Sequence, residues 1–273
     1  MRIGARQMLA WTAVVCAILT CAAMVPARSD ITSDVDTALV MAVDISNSVD
    51  ERRYRLQLEG IAAALEDPGV VGAILNGPRG AILLSIVAWG DRPEIALPWV
   101  AIRSKEDAAA AAAKVRGLPR FSGEFTCMAR ALQFLNDKVL PQVPAKALRT
   151  VVDVSGDGKD NCNADTSVPA LRDEIVSYGT TINGLPILEG SEAATLEQWY
   201  EENVKGGFGS FILPADGFED FGRAIRQKFI VEISGDIDPR EAAAPTQARH
   251  PNALHGGVRL AREPASGLTF RQR

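Results

Sequence analysis

The sequence predicts an α/β fold: a doubly wound, mostly parallel sheet with one short antiparallel edge strand and helices on both faces. Three observations lead there. Short continuous apolar runs, the mark of strands buried on both faces, alternate with stretches of helical period. One link between two such runs, Gly90-Asp91-Arg92-Pro93, is too short to hold a crossover helix. The alternation continues without internal repeat from about Asp34 to Gly235, a span that one core can serve.

Each element has its own signal. Ala38–Val43 is apolar throughout and reads as the first strand. A helix follows from about Val49, because Tyr54, Leu58, Ile61 and Leu65 share one face. Ala81–Trp89 is the second strand. Glu94–Val100 is the third, antiparallel to the second, and Pro93 and Pro98 place it at an edge. Six consecutive alanines put a helix over Ser104–Val115. Thr126–Leu140 reads as the next helix and Thr150–Val154 as the fourth strand. A helix over Val168–Tyr178, a strand over Thr181–Leu188, a helix over Leu196–Asn203 and a last strand over Phe208–Leu213 follow. Phe218, Phe221, Ile225 and Phe229 line one face of a closing helix.

The two ends differ from this body. Arg2 and Arg6 precede an uncharged stretch from Met8 to Val25, and Val25-Pro26-Ala27 offers small residues at a cleavage site. This predicts a secretory signal over residues 1–27, export to the periplasm or beyond, and a mature chain without a membrane span. The competing reading is an uncleaved anchor, since the stretch just reaches the length that crosses a bilayer. Residues 28–235 form the predicted domain. Residues 236–273 contain Pro239, Pro245, Pro251 and Pro264 without periodicity and form a predicted flexible polar tail.

Composition narrows the function. The two histidines, His250 and His255, both fall in that tail. A Ser-His-Asp hydrolase, a Cys-His protease or a histidine-rich zinc site would have to recruit its imidazole from there. A net charge of −5 gives no reason to expect nucleic acid. No Gly-x-Ser-x-Gly elbow is present, and Asp44-Ile45-Ser46 lacks the second aspartate of an Asp-x-Asp phosphotransfer motif.

In open parallel sheets, ligands bind beyond the carboxyl ends of the strands. The first strand runs into Asp44-Ile45-Ser46-Asn47-Ser48, a carboxylate and two hydroxyls at spacing two. All are hard oxygen donors, suited to Mg²⁺, Mn²⁺ or Ca²⁺ rather than zinc or copper. Ser48 with Glu51 also matches a Ser-x-x-Glu capping box, which would explain Ser48 but not Asp44 or Ser46. Past the fourth strand Asp157 sits between Gly156 and Gly158, where glycine permits a tight turn and close approach. Thr126 opens a helix after the Gly123 loop and by itself reads as a cap. Asp153, inside the strand, reads as meeting a buried polar partner. The run Asp157-x-x-Asp160-Asn161-x-Asn163-x-Asp165 lacks the glycine and glutamate of an EF-hand and reads as a polar loop. Gly156-x-Gly158 lacks the third glycine of a dinucleotide fingerprint, and Trp199-Tyr200 reads as packing.

Taken together, Asp44, Ser46, Ser48, Thr126 and Asp157 resemble the metal-ion-dependent adhesion site, or MIDAS, of von Willebrand factor A (vWA) domains. The order of elements and the antiparallel second and third strands match as well, over about residues 34–235. Ala88-Trp89, Val151–Asn161, Thr181-Ile182-Asn183-Gly184, Gly206-Gly207-Phe208 and the helix around Phe221–Ile233 are similar to an uncharacterised bacterial family of exported vWA-like proteins of unknown function. One departure stands out. The usual Thr-Asp-Gly after the fourth strand is Gly156-Asp157-Gly158 here, so the hydroxyl before the aspartate is missing.

The resemblance implies a Rossmann-like vWA fold. It also implies a divalent cation, Mg²⁺ or Mn²⁺ or Ca²⁺, held by those five residues, with an open position for an acidic residue of a partner protein. It places Cys127 and Cys162 on neighbouring loops, which predicts a disulfide between them in an exported chain. The expected function is a non-catalytic interaction module. The alternatives are a metal-assisted hydrolase or phosphatase at the same strand ends, and a structural domain whose metal site is vestigial.

Overall fold

In the computed structural model, which describes residues 34–162 and 164–234, five strands make one sheet. They are β1 (Val35–Asp44), β2 (Ile82–Trp89), β3 (Glu94–Ile102), β4 (Ala147–Gly156) and β5 (Thr180–Pro186), in the spatial order β3-β2-β1-β4-β5. β1 pairs in parallel with β2 and β4, and β4 with β5. β3 is antiparallel to β2 and lies at the edge, as the short link requires. The helices are α1 (Glu51–Glu66), α2 (Pro68–Leu75), α3 (Lys105–Arg116), α4 (Met128–Phe134), α5 (Val168–Ser177), α6 (Ala193–Asn203) and α7 (Phe221–Ser234). The predicted signal over residues 1–27, the predicted tail with both histidines, and Asn163 lie outside the described residues.

Strand period and burial account for the layers. Every residue of β1 is buried. Leu39, Met41 and Val43 join a core with Tyr54 and Leu58 of α1, Ile74 of α2, Ala112 of α3 and Phe221, Ile225 and Phe229 of α7. Val40 and Ala42 point the other way, to Met128 and Leu132 of α4, Ile175 of α5 and Leu196 and Tyr200 of α6. A strand covered on both faces has no polar side, which is why its sequence reads as one apolar run. The strand order reverses between β1 and β4, so the ligand crevice of such a sheet opens beyond Asp44 and Gly156.

One expectation changes, one element is new, and one alternative is settled. Phe208–Leu213 is not a sheet strand. Its backbone pairs with β5 through one isolated bridge, Gly184 to Ile212, rather than a ladder. Gly207 and Gly209, at φ +92° and +70°, interrupt the extended chain, and the Asn183 side chain takes the Phe211 amide at 3.0 Å. α2 has no periodic signal long enough to announce it. It forms because the Asp67 carboxylate accepts from the Gly69 and Val70 amides and Pro68 stands in the first turn. Finally, Ser48 does not cap α1. Asp50 does, accepting from the Arg53 amide at 2.8 Å, and this leaves the Ser48 hydroxyl free for other work.

Candidate metal centre

Asp44 is the last residue of β1 and is fully buried. Its Oδ1 accepts from the Ser46 amide at 2.7 Å, which turns the chain out of the strand. Its backbone oxygen accepts from Gln57 Nε2 on α1 at 3.2 Å, so the turn is also held from the helix. Ser46 Oγ lies 3.2 Å from Ser48 Oγ, and Ser48 Oγ donates to Asp157 Oδ1 at 2.6 Å. Four of the five predicted residues therefore stand in one line of hydrogen bonds across the β1–β4 crevice.

Thr126 reaches the same place by a different route. The Gly123 amide donates to the Ile45 carbonyl at 3.0 Å and draws the preceding loop over the crevice. Asn161 then clamps Thr126 twice, its Oδ1 accepting from the Thr126 amide and its own amide donating to the Thr126 carbonyl, both at 2.9 Å. The Cys127–Cys162 disulfide joins the same two loops, with Cα atoms 5.1 Å apart. Asp160 Oδ1 accepts from the Ala129 amide at 3.0 Å and so satisfies a free donor in the first turn of α4. Thr126 Oγ1 ends 3.4 Å from where a Cβ on Gly158 would stand. A side chain at position 158 would lie in contact with the hydroxyl. The polar loop thus anchors Thr126 beside the turn that carries Asp157.

The electrostatics set the site apart from an ordinary strand end. Burial, with the Asp157 charge adding to it, pushes the Asp44 carboxyl up to about 7. Asp44 Oδ2 is buried without a hydrogen-bond partner. Asp157 is also raised by burial, against the pull of the Ser48 hydroxyl and the Arg53 charge. Arg53 is held close by its bonds to the Ser48 carbonyl at 2.5 Å and to Glu189 Oε1 at 2.6 Å. An unmet buried carboxylate oxygen, a second carboxylate and three hydroxyls fit a hard divalent cation that keeps some water. Among the described residues no three His, Cys, Asp or Glu side chains cluster, so no thiolate or imidazole set competes with this one.

Sequence reasoning missed several residues here. Arg53 and Glu189 form a bridge from α1 to the segment after β5, and α7 joins it because Arg53 also stacks over Phe218, just before that helix, at 5.2 Å. Nothing local in the sequence pairs them. Tyr200 of α6 reads as packing from sequence, and its ring is indeed buried. Its hydroxyl, however, points at the site. A Cβ on Gly156 would meet Asp44 Oδ2 at 2.8 Å, Tyr200 Oη at 2.9 Å and Trp89 Cζ2 at 3.0 Å. The glycine before Asp157 was the available signal, because a missing side chain leaves room for something else. Asp153 meets the polar partner expected of it, Lys228 on α7, at 3.4 Å.

Comparison with known proteins agrees with the geometry. A family model described as "Protein of unknown function (DUF1194)" matches residues 34–237. No curated protein sequence matches. Among solved structures, the chain is similar to proximal thread matrix protein 1 from the mussel byssus, at TM-score 0.55 and 14% identity, covering 74% of this chain and 48% of that one. A form of the same mussel protein with a zinc-occupied MIDAS motif matches at TM-score 0.55 and 17% identity, covering 74% and 49%. A von Willebrand factor type A protein from Catenulispora acidiphila matches at TM-score 0.53 and 14% identity, covering 74% and 43%. The chain spans about half the length of these solved chains. At such identities the likeness establishes the fold: a mostly parallel vWA sheet with helices on both faces.

Proposed function

The chain belongs to the DUF1194 family, and from that premise we propose that it is an exported, non-catalytic interaction module that binds an acidic group of a partner protein through a divalent cation. Asp44, Ser46, Ser48, Thr126 and Asp157 hold the cation in this reading. The observation that carries it is Asp44: a carboxylate buried completely, with one oxygen unmet, at the point where the strand order reverses. Such a group has an unfavourable setting unless a positive charge joins it.

The donor set supports the mode of binding. Three of the five side chains are neutral hydroxyls, so a divalent ion bound here keeps positive charge to offer to a carboxylate. The chain's own residues fix the cup. Ser46 and Ser48 are placed by the Asp44 turn, Thr126 by Asn161 and the disulfide, and Asp157 by Ser48. The zinc reported in the mussel structure supports a metal at the corresponding motif and adds Zn²⁺ to the ions to be tried. The disulfide is consistent with export, and no helix among the described residues is long and apolar enough to cross a membrane.

The test is calorimetric titration of the chelated protein with Mg²⁺, Mn²⁺, Ca²⁺ and Zn²⁺, followed by a glutamate-bearing peptide with and without the ion. Binding of at least one ion, abolished by Asp44→Ala, is the expected result. Failure of all four ions to bind the wild type sinks the proposal.

A further inference from the structure

Tyr200 has no role in the metal-binding reading, yet its position is unusual for a packing residue. The side chain is fully buried and its hydroxyl has no hydrogen-bond partner. Asp44 Oδ2 is the other unpartnered buried oxygen at this end of the sheet. The two converge on the same spot, the bare Cα of Gly156, at 2.8 and 2.9 Å from where a Cβ would be. Any other residue at position 156 would collide with both and with Trp89. A phenol donates and a carboxylate accepts, so the two orphaned atoms are complementary.

We propose that Tyr200 is a positioning residue of the metal site: its hydroxyl, held over Gly156 from α6 and unpartnered in the metal-free chain, donates to the free oxygen of Asp44 when the bound ion draws that carboxylate into its charged form. The proposal rests on the metal-binding reading above. It accounts for features that are otherwise unrelated. Gly156 is needed because the hydroxyl arrives from another element and takes the space of a side chain. The ring is seated against Gly184, where a Cβ would lie 2.7 Å from Tyr200 Cδ1, and edge-on to Trp199 with centroids 5.7 Å apart, which keeps the hydroxyl over Gly156. The phenol keeps its proton, since burial and the charges of Asp44, Asp157 and Asp153 all raise it well above its ordinary range. It therefore stays a donor wherever the protein is folded. With Oδ1 held by the Ser46 amide and Oδ2 met by Tyr200 in the ion-bound state, the Asp44 carboxylate would have one orientation. A ligating or water-bridging group with its orientation fixed by an outer hydrogen bond binds metal more tightly than one left free.

The experiment compares the full chain with Tyr200→Phe, which keeps the ring and deletes the donor. Mn²⁺ affinity is expected to fall roughly ten- to a hundred-fold, while the melting temperature in chelator stays close to that of the wild type. A second measurement does not depend on that variant. The chain has three tyrosines, Tyr54, Tyr178 and Tyr200, so 3-fluorotyrosine labelling gives three resonances, assignable through Tyr54→Phe and Tyr178→Phe. The Tyr200 resonance should shift on Mg²⁺ binding. If the wild type binds the ion while Tyr200→Phe binds it equally well, or the Tyr200 resonance does not move, the role of Tyr200 is overturned and the metal site stands. If the wild type binds no ion, both fall.

Discussion

Asp44 and Asp153 are both fully buried carboxylates on adjacent parallel strands, and the molecule treats them in opposite ways. Asp153 lies within β4, facing α7. Neither Asp153 oxygen has a hydrogen-bond partner, but Lys228 of that helix brings its charge within 3.4 Å of Asp153 and 3.3 Å of Glu232, and also bonds the Gly184 carbonyl at 3.3 Å. Asn183 donates to Glu232 at 2.7 Å. Asp44 stands at the open end of β1 and is answered on one oxygen only by a backbone amide. Inside the sheet the chain supplies its own cation. At the edge it supplies hydroxyls and leaves the charge unbalanced. The difference separates a structural ion cluster from a binding site better than acidity or burial does, since both carboxylates have those.

The largest test of this contrast is removal of the internal cation. Lys228→Met leaves Asp153 and Glu232 buried without a partner charge. It should cost about 3–5 kcal/mol, read from urea or thermal unfolding. Asp44→Asn should behave in the opposite way. In chelator it removes an uncompensated charge without changing shape, so stability should hold or rise. Equal destabilisation by both variants would erase the distinction.

Next in size is the Cys127–Cys162 disulfide, whose ends are 35 positions apart in sequence. The loop-entropy account puts its contribution near ~4 kcal/mol. Replacing both cysteines by serine should lower the unfolding midpoint accordingly. It should also weaken metal binding, because Thr126 keeps only the Asn161 clamp. Smaller again is the ion's own effect. A cation at a hundred times its dissociation constant should stabilise the wild type by about 2.7 kcal/mol, seen as a rise in melting temperature, and should leave Asp44→Asn unmoved.

How far the sequence reveals all this follows from how local each feature is. β1 was legible because burial on both faces makes a run without polar residues. Asp44, Ser46, Ser48 and Asp157 were legible because strand-end ligands come in short strings. The sequence leaves Ser48 between a helix cap and a site residue, and only the folded crevice shows that Asp50 caps α1 while Ser48 is engaged by Asp157. The Arg53–Glu189 pair, 136 residues apart, leaves no local pattern. Tyr200 reads as an ordinary aromatic on a helix face until Gly156 is placed beneath it. Phe208–Leu213 has strand-like residues, but its glycines at positive φ outweigh them.

The pH dependence of stability offers the finest probe. The Asp44 carboxyl in the folded chain titrates at about 7, raised by burial and by Asp157, against 3.8 when unfolded. Below 3.8 both states are protonated and the group has no influence on the pH slope. Between the two values the folded state holds a proton that the unfolded state has released, so stability falls as pH rises, and the loss is complete above about 7. Chelated wild type should therefore lose stability across pH 4–7 more steeply than Asp44→Asn, measured as urea midpoints at half-unit steps. Asp153 is also raised well above its ordinary range, by burial and by Glu232 against the pull of Lys228, so it adds a slope of the same sign to both proteins, and the difference between them isolates Asp44. Saturating metal should flatten the wild-type curve at the upper end, because the ion favours the charged carboxylate and returns the stability that deprotonation removes. No ion added to the wild type should flatten the slope that Asp153 contributes, since Lys228 already occupies that place.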